Sequence, residues 1–293
     1  MIIETSETHS SLGDFLKMRE SDLQSLLFDI VRSTAFKTIL PLYQRGLANT
    51  DIGYKDNNDI VTAADTEMQN RLIDAFSTYW PNIGVLSEEQ PIETQQAVFK
   101  NKKRPFWVLD PIDGTSNFAF GIPYFCTSLA LIFEGEIRVG LVYDPIRDEC
   151  FYASQGNGAT LNGVKLSGFT QINQSDSENN LKSAMAMVDF KRLPQALATE
   201  LAAKPPYRSQ RSFGASALDW CWIAANRCQL YLHGEQKLWD YAAGSLILSE
   251  AGGMSSSFDG SKVFNQSMQA RSVIAATQPA QFKRWQQHIN QHL

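Results

Sequence analysis

Along the chain the apolar positions change period several times, and each change predicts an element. Leu23, Leu27, Ile30 and Val31 recur on one helical face, so a helix is predicted from Ser21 to about Leu42, with Ser21 and Gln24 forming a capping box. Met68, Leu72 and Phe76 repeat every four residues and predict a second helix from near Asp65 to just before Pro81, directly after a short extended piece, Ile60 to Thr62. Phe106 to Asp110, Thr127 to Phe133 and Glu136 to Tyr143 are predicted strands, the last two joined as a hairpin across Glu134-Gly135. Further on, a strand near Ala184 to Val188, helices near Ala217 to Ala225 and Tyr241 to Ala251, and a strand at Ser272 to Ala276 alternate as in a layered α/β lobe.

A stretch rich in Ser, Asn, Gln and Asp, from Gln171 to Asn180, separates the two patterns and reads as a connection between lobes. The chain is therefore expected to divide into an α+β lobe over 1–175 and an α/β lobe over 176–293. With 293 residues, 43% of them hydrophobic and 19% charged, it has the composition of an ordinary folded protein. A net charge of -5 excludes general affinity for nucleic acid or for an anionic membrane. An anionic ligand must then be met by local charge, and a divalent cation held by carboxylates supplies it. The four cysteines, Cys126, Cys150, Cys221 and Cys228, show no CxxC spacing and only four histidines accompany them, so no zinc site is indicated. Met1 to Glu20 has no apolar signal core, and the longest apolar stretch, around Tyr124 to Phe133, is too short for a bilayer. A cytoplasmic, reducing location is the resulting expectation.

The chemistry concentrates in Trp107 to Phe118, WVLDPIDGTSNF. An apolar strand delivers Asp110 at its end, Pro111 stiffens the next turn, and Asp113 follows at a spacing that lets both carboxylates converge. Two carboxylates with the Ile112 carbonyl between them suit a hard cation such as magnesium, which leaves positions for water and phosphate. Gly114 permits close backbone approach, and the amides that follow, from Thr115 on, could point at a phosphate as a helix begins. Other carboxylates stand where structure changes. Asp65 and Asp240 both open predicted helices, where capping explains them as well as chemistry does. Glu88 and Glu89 follow the apolar Val85-Leu86 and could equally form a solvated acidic loop.

Four segments, DIVTAAD, LSEE, DPIDGTSNF and WDYAAGSLILSEAGG, occur in an order that resembles the inositol monophosphatase family, from about Asp59 to Gly253. That resemblance implies a layered α-β-α-β-α sandwich and a magnesium-dependent, lithium-sensitive phosphatase acting on a small phosphate ester, commonly as a homodimer. Matched position by position, it implies Glu88, Asp110, the Ile112 carbonyl, Asp113 and Asp240 as metal ligands, with Glu89 the lesser member of its pair. Asp65 and Thr115 become the pair that activates water, and Glu88 joins them in catalysis. Gly114, Thr115, Ser216, His233 and Asp240 become substrate contacts, and Lys55 resembles a lysine kept near the metal.

The chain departs from the pattern at His233, where family members acting on inositol phosphate carry a glutamate that contacts hydroxyls; Glu235 lies two residues on. Gly214 to Leu218 resembles a small-residue turn entering a helix, and Trp220, Trp222, Cys221 and Cys228 belong to the core or to a subunit interface. A dinucleotide site is excluded because Gly156, Gly158 and Gly163 do not have GxGxxG spacing. No Gly-x-Ser-x-Gly or cysteine phosphatase loop is present, so water attacks directly. Inositol monophosphate is the leading substrate. Fructose 1,6-bisphosphate, a nucleotide 3'-phosphate, or a purely regulatory sugar-phosphate-binding role are the alternatives.

Overall fold

The computed structural model describes residues 18–46, 52–54, 60–101, 104–166 and 180–293. The chain begins with helices α1 (Glu20–Lys37) and α2 (Ile39–Arg45), then a small antiparallel pair, β1 (Ile52–Tyr54) and β2 (Ile60–Thr62). Helix α3 (Ala63–Tyr79), β3 (Gly84–Ser87), α4 (Ile92–Lys100), β4 (Phe106–Asp113) and the short α5 (Thr115–Ala119) follow. Strands β5 (Cys126–Phe133), β6 (Glu136–Asp144), β7 (Glu149–Ser154), β8 (Gly158–Leu161) and β9 (Val164–Lys165) complete a seven-stranded sheet in sequential order from β3. Only β3 and β4 are parallel in it. Beyond the connection come β10 (Met185–Asp189), α6 (Gln195–Ala203), β11 (Ser209–Arg211), α7 (Ser216–Ala224), β12 (Leu230–Gln236), α8 (Leu238–Glu250), β13 (Met254–Ser256), β14 (Arg271–Ala276) and α9 (Pro279–Asn290). These strands form a five-stranded sheet in the order β11-β10-β12-β14-β13.

Side-chain alternation along the strands explains the layering. In β4, Trp107 and Leu109 point to α1 and α3, where Leu27, Val31, Met68, Leu72 and Phe76 are buried; Phe106 and Val108 point the other way, to Trp220, Leu246 and Ile247 of α7 and α8. The five-stranded sheet repeats the arrangement. Met187, Tyr231, Val273 and Ala275 face α7 and α8, whereas Val188, Leu232, Ile274 and Ala276 face Leu197 of α6 and Phe282 and Trp285 of α9. Both sheets are thus covered on both faces, which is why β4 is buried at all eight positions. The result is the α-β-α-β-α sandwich. Trp220, Cys221 and Cys228 are core residues, while Trp222 is half-buried against Tyr124 and Phe213.

Two local expectations need correction. The predicted first helix is broken at Thr38, because Pro41 has no N–H for the carbonyl of Lys37 and its ring crowds that carbonyl. The capping box at Ser21 does not form either: the helix starts one residue earlier, at Glu20, and Gln24 instead donates across to Thr160 Oγ1 at 2.8 Å. The segment read as a connection, Gln171 to Asn180, lies outside the described residues except for Asn180, and Lys55 lies outside them as well. Among the described residues no helix is long and apolar enough to cross a membrane.

Candidate metal centre

The sandwich brings the ends of β4 and the start of α8 to one place. In a regular strand, residues three apart face opposite ways, so Asp110 and Asp113 would diverge. They do not, because β4 bulges between them. Asp110 pairs with Ser128 and Asp113 with Cys126, three steps on one strand against two on its neighbour. The extra residue re-aims Asp113 to the side of Asp110. Pro111 suits the bulge because it has no N–H to give the ladder, and its carbonyl accepts from Thr127 Oγ1 at 2.8 Å.

Asp240 arrives from the third residue of α8, where its Oδ2 accepts the Lys237 N–H at 2.8 Å. Each of Asp110, Asp113 and Asp240 then offers an oxygen to a common point, all within 4.8 Å of one another. Asp113 is also tied to α7 and to β5, its Oδ2 accepting the Ala217 N–H at 2.7 Å and the Cys126 thiol at 3.6 Å. Asp110 Oδ1 is buried with no hydrogen-bond partner among the described residues. A buried carboxylate oxygen in that state is costly unless a cation meets it.

Burial, reinforced by Glu88 and the neighbouring aspartates, drives the Asp110 carboxyl well above the usual carboxylate range. Burial, with Asp113 and Glu88 behind it, does the same to Asp240. Asp113 is pushed up to about 7 by burial, against the pull of the Ala217 amide. Glu88 itself follows β3, its N–H bonded to the Leu109 carbonyl at 3.1 Å, and its charge acts on all three aspartates and on Asp65. Such mutual repulsion in a buried pocket fits a site for a divalent cation. Glu89, the next residue, is half-buried.

Next to this cluster stands a polar pair. Thr115 Oγ1 lies 3.1 Å from Asp65 Oδ1 and 2.9 Å from the Ile112 carbonyl. Asp65 Oδ2 accepts both the Thr62 N–H at 2.8 Å and the Thr62 hydroxyl at 2.6 Å, closing the capping box of α3. The capping and chemical readings of Asp65 are therefore compatible: one oxygen serves the helix and the other faces Thr115. Burial lifts the Asp65 carboxyl to about 6, against the lowering by its hydrogen bonds.

Gly114 is confined by φ 89° and by its surroundings, since a Cβ there would meet Ala215 Cβ at 3.0 Å and the Tyr124 carbonyl at 3.2 Å. The close approach it permits is to Ala215 and to the segment ahead of β5. Ser216 opens α7 beside Asp113. His233 is 5% exposed with both ring nitrogens engaged inside the protein, Nε2 3.0 Å from Asp189 Oδ2 and Nδ1 accepting the Glu235 N–H at 3.1 Å. It thus turns no nitrogen to a substrate, contrary to expectation. Sequence reading also passed over Asn117, whose Nδ2 donates to the carbonyls of Tyr124 at 2.7 Å and Phe213 at 2.6 Å and so ties α5 to the segments ahead of β5 and α7. It passed over Thr62 as well, although Thr-x-x-Asp ahead of an apolar run is itself a capping signal.

A two-sheet sandwich with a carboxylate cluster where β4 meets α8 defines a class, and comparison gives it a family: the inositol monophosphatase family model matches residues 20–293, and the chain belongs to that family. Over 228 residues it is 34% identical to the Nus factor SuhB of Haemophilus influenzae, covering 76% of this chain and 79% of that protein. Over 209 residues it is 34% identical to the fructose-1,6-bisphosphatase/inositol-1-monophosphatase of Thermotoga maritima, covering 71% and 74%. The solved structure of a Thermotoga maritima IMPase superposes with a TM-score of 0.77 at 25% identity, over 92% of this chain and 97% of that one.

Proposed function

We propose that the protein is a magnesium-dependent phosphomonoesterase acting on a small phosphorylated cyclitol or sugar, with inositol monophosphate as its leading substrate. The observation that carries the reading is the convergence of three carboxylates, one of which has a buried oxygen without a partner, beside a threonine bonded to a buried aspartate. Asp110, Asp113, Asp240, Glu88 and the Ile112 carbonyl would hold the cation. When bound, magnesium neutralises phosphate charge and makes a water more acidic.

The rest of the chemistry belongs to the chain. With its one hydrogen turned to Asp65 Oδ1 at 3.1 Å in place of the Ile112 carbonyl at 2.9 Å, the Thr115 hydroxyl would keep its lone pairs to accept a hydrogen from the attacking water. A proton arriving at Thr115 can pass on to Asp65, whose carboxyl at about 6 is poised to share it near neutral pH. Asp65 stays correctly aimed because Thr62 grips its other oxygen from two directions. In this reading Ser216 and the Gly214-Ala215 turn would border the substrate ring. His233 contributes through what it holds in place.

The test is release of inorganic phosphate from inositol 1-phosphate, fructose 1,6-bisphosphate, adenosine 3',5'-bisphosphate and histidinol phosphate, with and without magnesium and with added lithium. Magnesium-dependent release, inhibited by lithium, is expected; no release from any of them by folded protein defeats the proposal. Homodimerisation belongs to the same reading and is checked by sedimentation equilibrium. A second reading, a regulatory role without turnover, is favoured by the 34% identity to a protein named as a Nus factor. It predicts retained magnesium binding with no phosphate released.

A further inference from the structure

Three buried polar side chains that the proposed chemistry does not use, Asn117, Tyr124 and Asp219, are bonded around the entry to α7. Asn117 stands on α5, four residues after Asp113. Its Nδ2 meets two carbonyls, of Tyr124 at 2.7 Å and of Phe213 at 2.6 Å, so both amide hydrogens are committed and the partners themselves settle which way the amide points. Tyr124 carries the bridge onward. Its hydroxyl donates to Asp219 Oδ1 in the first turn of α7 at 2.8 Å, and its ring lies 4.7 Å from that of Phe213 and 5.0 Å from that of Trp222. The bonds to Phe213 and Asp219 span 96 and 95 residues, so neither follows from local structure. Together they grip α7 at two points, one in the chain entering it and one in the helix itself.

Between those points lies the Ala217 amide, whose N–H is given to Asp113 Oδ2 at 2.7 Å. With the Cys126 thiol on the same oxygen at 3.6 Å, this bond sets the rotation of the Asp113 carboxylate and hence the aim of its other oxygen. A carboxylate that has to meet Asp110 and Asp240 within 4.8 Å has little room to turn. Were the first turn of α7 to open, the Ala217 amide would leave with it.

Resting on the magnesium reading of the cluster, we propose that Asn117, Tyr124 and Asp219 are positioning residues for the metal centre: they fix the first turn of α7 so that its Ala217 amide holds Asp113 in the rotation the cation requires. They act through Asp113.

Two measurements on the full chain test this, magnesium binding by calorimetry and amide exchange at Ala217 in the metal-free protein. Asn117→Ala should weaken magnesium binding by about ten- to a hundredfold, the range for removal of a group that orients a metal ligand. Tyr124→Phe, one link further out, should weaken it by a smaller factor. In both variants the Ala217 amide should lose protection while the amides of β10 keep theirs. Leu197→Ala empties a fully buried position on α6 and is the control: its melting temperature should fall while magnesium affinity and Ala217 protection match the wild type. Unchanged affinity or unchanged Ala217 protection in Tyr124→Phe overturns the proposal, whether or not Asn117→Ala folds. So does a loss of affinity in Leu197→Ala as large as that in Tyr124→Phe, because general loosening would then suffice. Those outcomes leave the metal centre standing, whereas no magnesium bound by the folded wild type defeats the metal centre and this inference together.

Discussion

Single atoms decide much of this site, and the two oxygens of each aspartate do different work. Asp113 lends Oδ2 to the first turn of α7 while its charge belongs to the cluster. Two substitutions should separate these roles. Asp113→Asn keeps an acceptor for the Ala217 amide but loses the charge, so turnover should fall by about a hundredfold or more while the melting temperature without metal holds or rises. Asp113→Ala also strips the helix of its cap and should cost about 1 kcal/mol further, read by chemical denaturation in EDTA. If the two variants unfold alike, the capping role is wrong. Thr115→Ala should depress kcat by about a hundredfold, as for loss of a positioned acid-base group, with magnesium affinity little changed. A shift confined to magnesium affinity, measured calorimetrically, would remove Thr115 from water activation. Gly114→Ala combines a left-handed backbone with a 3.0 Å contact to Ala215, and should cost about 1 to 3 kcal/mol by the same denaturation measurement.

At the scale of elements, the helices that carry chemistry are anchored far from it. Helix α3 presents Asp65 at its start and buries Leu72 completely two turns later. Leu72→Ala should therefore cost about 2 to 5 kcal/mol of stability and leave kcat at 20 °C close to that of the wild type. A matching fall in kcat would mean that Asp65 is not held by its cap. Much at this scale was legible in the sequence, because strand and helix periods differ plainly in Phe106 to Tyr143 and in Met68 to Phe76. The order of the four motifs also pointed to the sandwich. Less was legible where tertiary contact overrides local preference. Gln24 had the spacing of a cap and went to Thr160 on β8. The bulge that turns Asp113 toward Asp110 has no signature beyond Pro111, and the latch between His233 and Asp189 joins residues that sequence separation hides.

For the molecule as a whole, the carboxylate pocket links acidity, cation and stability. The carboxyls of Asp65 and Asp113, at about 6 and about 7, lie above their unfolded values near 4. Between those limits the folded state holds more protons than the unfolded one, so their contribution to stability is full at low pH and is lost as pH rises through 6 and 7. Magnesium held by the deprotonated pocket would oppose that loss. The rise in melting temperature on adding magnesium should consequently be greater at pH 8 than at pH 5.5. An increment that is equal at both, or larger in acid, contradicts a metal site made of these groups.

The bond from Asp113 to the Ala217 amide, and the meeting of Asp110 with Asp240, join stretches of chain more than a hundred residues apart. During synthesis the first sheet can emerge and cover its α1 and α3 face before the residue that completes the pocket has left the ribosome. Until then its aspartates border open water, where their charges are cheaply hydrated. Only docking of the last third confines them, so a cation held by all three aspartates would report that this docking is complete.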